Sequence, residues 1–444
     1  MTLRDDPARA WAPFEPGPSS PWDLGRVAHL HRRAGFAAPW AILARDLADG
    51  PGPSVERLLG GEPTALDGTP TAQFDGAADA IAAGIGPDTP PARLRAAWVY
   101  RMLLTPRPLV ERMTLFWHGH FATSIAKVGD TAMMARQNTL LRTHALGRFG
   151  DLLTAIGRDP AMLVWLDAAN NPKARPNENY AREVMELFAL GRGAYTEADI
   201  REAARALTGR SVARGECRDR PLDHDDGTKA ILGRTGTFTG DDLVPILLDQ
   251  PACAGFLARK LHRLFLSEVD EPSDALLAPL AESLRSSGYD VGAAVRTILR
   301  SNLVFDPSSR RRRVKSPIEL GIGTARALEL ARPTVSALAL GDWAARAGQS
   351  LFAPPSVAGW DGGKTWIHTA AMLERTNLVL ALLGKDADGG LGGRFHPAKL
   401  AARHGIEPGR FFVDLLIQDG LPIEAMSPHD AARLVLTAPE YQLS

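Results

Sequence analysis

Cysteine is almost missing from this chain. Of 444 residues only Cys217 and Cys253 are cysteine, so neither a disulfide framework nor a thiolate zinc site can be built. Charge of one sign is missing too. Lys plus Arg number 51 and Asp plus Glu number 51. With no net positive charge to bind a polyanion, the expectation is no nucleic-acid partner. Long hydrophobic runs are absent. The best, Leu378 to Leu383, falls far short of the ~20 residues of a membrane span, so none is expected. The start, Met1-Thr2-Leu3-Arg4-Asp5-Asp6, leads into Pro-rich sequence rather than the apolar segment of a secretory leader. The expected compartment is therefore the cytoplasm. Neither a Gly-x-Gly-x-x-Gly turn after a strand nor a Gly-x-x-x-x-Gly-Lys-Ser/Thr loop occurs, which argues against the common nucleotide-binding folds.

What is present is the composition of a folded globular protein, 45% hydrophobic and 23% charged. Residues 1–21, rich in Pro, Asp and Ser, are expected to form a flexible arm. Residues 22–444 are expected to form a helical domain, interrupted by a Gly/Pro-rich linker at about 49–91. Apolar residues recur at helical spacing over 22–34, 92–104, 108–121, 131–146, 177–190, 197–207, 251–266, 274–286, 317–330 and 370–383. Strand signals amount to one weak hairpin over 229–239. The stretch 341–364 is expected to be a loop. The fold class is mainly α: a multi-helix, bundle-like body with long Gly/Pro-rich loops and at most a small β-hairpin.

Two helical segments carry chemistry. In Glu111 to Phe121, a rotation of ~100° per residue puts Glu111, Thr114 and His118 on one face. His120 is turned ~160° from His118 if the helix persists, so the pair shares a ligand only if the helix breaks at Gly119. In Asn177 to Leu187, Asn179, Arg182, Glu183 and Glu186 form one polar stripe. Two carboxylates one turn apart can hold a cation, or can split into an acid and a base. The plainer alternatives are a hydrogen-bonded core histidine and a solvated face with a Glu178–Arg182 ion pair.

Three further segments stand out. Asp223-His224-Asp225-Asp226-Gly227 gathers ligand-type side chains on a loop, or is an ordinary turn. Arg310-Arg311-Arg312-Arg313-Val314-Lys315-Ser316-Pro317 reads as a surface basic run ending in a helix N-cap, Ser316, with Pro317 as first helical residue; alternatively Lys315 and the cap amides hold an anion. Trp360 and Trp366 flank a Gly-rich loop and either stack on a flat ligand or pin the loop to the helical body.

In this order, these segments resemble a bacterial family known as domain of unknown function 1800. The resemblance runs from His29-Leu30-His31-Arg32-Arg33-Ala34-Gly35-Phe36 to about Asn377. Its most specific part is Asn177-Glu178-Asn179-Tyr180-Ala181-Arg182-Glu183. The family usually has an aromatic residue where this chain has Arg210, and Leu where it has His31. Many relatives are exported. The resemblance implies a mainly helical fold and supplies no activity.

The resulting expectation is a hydrolase-type enzyme with a His/carboxylate site between helices. Glu183 or Glu186 would be the general base and His118 its partner acid. Asn179, Arg182, Arg205 and Trp360 would bind substrate. A divalent metal such as Zn, Mn or Fe would sit on His118, Glu183, Glu186 and His224. The competing expectation is a non-catalytic helical scaffold that binds a partner protein or polysaccharide, with the polar cluster structural.

Overall fold

A computed structural model describes residues 3–330, 335–384, 395–418 and 426–444. The fold is mainly α, with helix over 61% of the chain. Helix starts follow capping chemistry. Asp23 accepts the Arg26 N–H at 2.8 Å ahead of Leu24–Ala34. Reciprocal capping boxes open Glu197–Ala206 (Thr196 with Asp199) and Pro317–Ala327 (Ser316 with Glu319). Among the described residues the strands form two separate antiparallel hairpins. The expected one pairs Lys229–Ile231 with Arg234–Gly236; a second pairs Arg210–Ala213 with Glu216–Asp219. The second escapes notice because its strands are short and largely charged, so no alternation marks them. No described helix is long and apolar enough to cross a membrane.

Three expectations need correction, because Gly and Pro here open helices or lie within them, as Pro51 and Gly341 do. Residues 1–21 are not a free arm. Pro7–Trp11 is helical, Ala10 is wholly buried, and Trp11 donates its indole N–H to the Leu276 carbonyl at 2.6 Å. The presumed linker holds helices Pro51–Gly60 and Thr71–Ala83, which bury Val55, Leu58, Phe74 and Ala78. The presumed loop from 341 begins inside a helix, Ala337–Arg346, packed on Pro91–Leu104.

The apolar side chains form two cores that meet across Pro108–His120. Leu109, Met113, Trp117 and Phe121 belong to one core and Leu115 to the other. The helix is therefore enclosed on nearly every side. Its polar residues are enclosed with it: Glu111, Arg112, Thr114, His118 and His120 are all buried. Polar groups rarely go inside without partners, and a helix with no solvent face that still carries five of them marks a polar interior.

Candidate functional site

The helix does not break at Gly119, so the two histidines point apart. Nε2 of His118 accepts the Phe352 N–H at 3.0 Å, and its ring packs edge-on to Trp98 at 5.1 Å and beside Trp360 at 5.7 Å. Burial holds its pKa down at about 3, so the ring is neutral and acts as an acceptor anchoring the tryptophan loop. Gly359 lies across the same turn at φ +78, and a Cβ there would collide with the Gly119 carbonyl. Glycine at 359 is what allows that crossing.

His120 faces the other way. Its Nε2 lies 3.0 Å from the Phe188 carbonyl oxygen. A carbonyl only accepts, so Nε2 carries the proton and Nδ1 holds a lone pair. That Nδ1 is buried without a partner. Burial first, and the Lys260 charge second, push the His120 pKa well below its usual value, against the Phe188 carbonyl. Phe188 belongs to the π-helical turn Val184–Ala189, which continues Glu178–Glu183. Carbonyls at a helix C-terminus lack helical partners, and this one is free to take His120. The two motif helices therefore do meet, but through His120 and a main-chain oxygen.

The stripe that includes Glu183 and Glu186 is committed elsewhere. Glu186 accepts from the Tyr195 hydroxyl at 2.6 Å and the Arg192 guanidinium at 2.7 Å, and both hold its pKa down. The Glu183 pKa is raised by partial burial and by the Glu186 charge. Arg182 grips Glu197 with two bonds of 2.7 and 2.8 Å, with Glu178 at 3.6 Å. Asn179 donates to the Leu166 carbonyl at 3.2 Å. Arg205 is saturated by Asp225, Glu202 and the Thr228 carbonyl. His224 bonds the Thr208 carbonyl at 2.9 Å through Nδ1. Its loop lies against Gly209, φ +84, where a Cβ would stand 3.1 Å from the His224 Cβ. The expected metal set is thus corrected. His118, Glu186 and His224 each have a separate partner, and no group of three or more His, Cys, Asp or Glu side chains suited to a metal occurs among the described residues. Glu186 is taken by Arg192 and Tyr195 a few residues on, and His118 by the distant Phe352 main chain, neither of which helix periodicity registers.

Of the residues expected to bind substrate, Trp360 reaches a cleft. About 190 Å³ lies open between Pro108–His120, Pro251–Phe265, the segment entering Pro317–Ala327, and the tryptophan loop. Arg112, His120, Lys260, Glu268, Arg313 and Glu319 line it, with Trp360 and Trp366 on the loop side. A second space of about 370 Å³ adjoins it and shares Lys260, Arg263, Glu268 and Trp360.

The polar core of the cleft is organised by Glu319. One oxygen, Oε1, pairs with Nη1 of Arg112 and lies 3.1 Å from Nη1 of Arg313. The other accepts the Ser316 N–H at 2.6 Å as part of the capping box. Glu268 accepts the Val314 N–H, and its other oxygen stands 3.9 Å from Nε of Arg313. Burial depresses the pKa of Arg112, Arg313 and Lys260. The basic run is therefore not wholly a surface feature: Arg313 enters the cleft, and Lys315 is buried with Nζ 2.6 Å from the Tyr441 carbonyl. Little in the sequence marks Arg112, Lys260, Glu268, Arg313 or Glu319. The available signals are the polar residues in a helix with no polar face and the Ser-Pro-x-Glu box.

A helical body with a charged, tryptophan-walled cleft between two apolar cores is the class defined so far. The family model described as "Protein of unknown function (DUF1800)" matches residues 29–443, and the chain belongs to that family. No curated protein and no solved structure matches it.

Proposed function

We propose that the cleft is a hydrolytic active site, with His120 rather than His118 as general base. The observation that carries this reading is the His120 imidazole. It is held in one tautomer by the Phe188 carbonyl, lines the cleft, and keeps an unpartnered Nδ1 lone pair. A base needs a lone pair and a fixed orientation, and the buried Nδ1 has both. Lys260 lines the same cleft, and its ammonium has no hydrogen-bond partner among the described residues. In the reaction, His120 Nδ1 takes a proton from water as the water oxygen bonds to the electrophilic centre. The bond to the leaving oxygen breaks, and Lys260 gives that oxygen a proton. Water is added across the broken bond and no redox partner is needed. Arg112 and Arg313 stabilise the negative charge that develops. An anionic substrate would also raise the His120 pKa toward a useful range.

The alternative is a non-catalytic scaffold. What favours it is the thorough pairing of Glu186, Arg182 and Arg205, which accounts for the second motif as structure alone. A panel of chromogenic phosphate, sulfate and carboxylate esters separates the two readings. Turnover by the wild type, reduced at least ~100-fold in His120→Gln, is expected from the contribution of a general base. Turnover unchanged in His120→Gln, or none on any ester, would return the protein to the scaffold reading.

A further inference from the structure

We infer that the group received by this cleft is a tetrahedral oxyanion, of the phosphate or sulfate type, bound by Arg112, Arg313 and Lys260. The inference rests on the cleft being the functional site, but not on His120 acting as a base.

The argument begins with unmet donors. Arg112 is 2% exposed, and its Nε and Nη2 have no hydrogen-bond partner; Nε of Arg313 makes no hydrogen bond either, with Glu268 held off at 3.9 Å. A buried charged donor left unpaired is costly, and native structures hold few. Here they gather around one cavity, joined by the unbonded ammonium of Lys260. The local acceptors are already engaged. Both Glu319 oxygens have partners, and Glu268 spends one oxygen on the Val314 N–H. The cleft therefore has donors to spare and few acceptors free.

Charge points the same way. Arg112, Lys260, Arg263 and Arg313 line the cleft against Glu268, Glu319 and Asp361, an excess of one positive charge. Arg33, wholly buried, adds its field to Arg112 from behind. A guest with one or two negative charges balances the site.

Geometry separates oxyanion shapes. A carboxylate is planar and is satisfied by the fork of one arginine. Here the free donors come from two guanidiniums and an ammonium. They lie on three different segments, Pro108–His120, the approach to Pro317–Ala327, and Pro251–Phe265. Donors converging from three directions suit a group with oxygens on all sides. Trp360 and Trp366 then face whatever the oxyanion is attached to.

The test is calorimetric titration of the full chain with sodium phosphate, sulfate, acetate and chloride at matched ionic strength. Phosphate and sulfate are expected to bind, with acetate and chloride at least tenfold weaker. A preference for phosphate at pH 8, where it is a dianion, over pH 6 assigns the phosphoryl group; equal affinity at both assigns sulfate-type recognition. Arg112→Lys keeps the charge and removes the fork, and Lys260→Met removes the ammonium at a less enclosed position. Each is expected to weaken phosphate at least tenfold. Acetate binding as well as phosphate, or unchanged phosphate affinity in both Arg112→Lys and Lys260→Met, would overturn the inference. Phosphate binding without turnover of any ester would leave this site standing and remove the catalytic reading. Turnover of carboxylate esters without phosphate binding would do the reverse.

Discussion

Glu319→Gln is the most informative single change in this molecule, because one carboxylate holds two buried arginines. The substitution keeps the shape, and the amide oxygen can still accept the Ser316 N–H, so the helix cap survives. The charge is lost, and with it the acceptor that Oε1 offers both arginines, since the amide NH2 standing there can only donate. At the observed 3.1 Å from Arg313, with an effective dielectric constant of about 20, the gross attraction is about 5 kcal/mol. Arg112 adds a second contact at 2% exposure. Desolvation of the carboxylate offsets part of this. Removing one partner of a buried pair leaves the other charge stranded, at a measured cost of about 3–5 kcal/mol. We expect a loss in that range at pH 7. Urea unfolding followed by both circular dichroism and tryptophan fluorescence measures it, and coincidence of the two curves licenses the free-energy value. Since the pair is enclosed, the loss should persist in about 0.5 M sodium chloride, where exposed pairs are screened. Phosphate should return part of the lost stability by binding the folded state. A cost below about 1 kcal/mol, typical of exposed ion pairs, would refute the reasoning, because it would mean water already compensates the arginines.

Two other outcomes follow from the same structure. Asp46 is fully buried, and bonds to His31, Arg45 and Arg57 outweigh the upward push of burial to hold its pKa at about 2, below the ordinary 3.8. That depression stabilises the fold by about 2 kcal/mol at pH 7, fully present above pH ~5 and lost as pH falls through 2. Asp46→Asn should cost about that much at pH 7 and clearly less at pH 3 in urea titrations, and an equal cost at both would contradict the assignment. Gly359→Ala should cost at least ~2 kcal/mol, since a Cβ meets the Gly119 carbonyl and φ is +78. Hydrogen exchange at residues 352–362 should quicken at least tenfold, and unchanged exchange would show that the loop crossing does not depend on glycine.

The helical class was legible because most of the long helices announce themselves by apolar spacing and by caps such as Asp23 and Ser316. What was not legible is where Gly and Pro fall in three dimensions. Pro51, Gly60 and Gly61 bound a helix, yet in sequence they look like the filling of a linker. The His118–Gly119–His120 geometry was also legible: with the helix unbroken, the two rings had to diverge, and they do. Periodicity tells which residues share a face. It does not tell what the face meets, and so the stripe of Glu183 and Glu186 looked like a ligand set when Arg192 and Tyr195, a few residues on, take Glu186.

The site residues that escaped notice share a physical reason for doing so. Arg112, Lys260 and Arg313 lie about 150 and 50 residues apart along the chain; the first two sit in locally ordinary contexts, and Arg313 belongs to a basic run whose more exposed member Arg312 looks the same in sequence. A buried arginine cannot be told from an exposed one by spacing, because its aliphatic stem suits either face. Only the contrast within Pro108–His120 hints at the interior: apolar residues surround the helix, so its charged members have nowhere to go but inward. That contrast also orders the two histidines. His118 finds a main-chain donor in Phe352 and becomes part of the framework, whereas His120 spends one nitrogen on Phe188 and keeps the other. A nitrogen with its neighbour pinned and no partner of its own is where a helix otherwise committed to packing retains a capacity for chemistry.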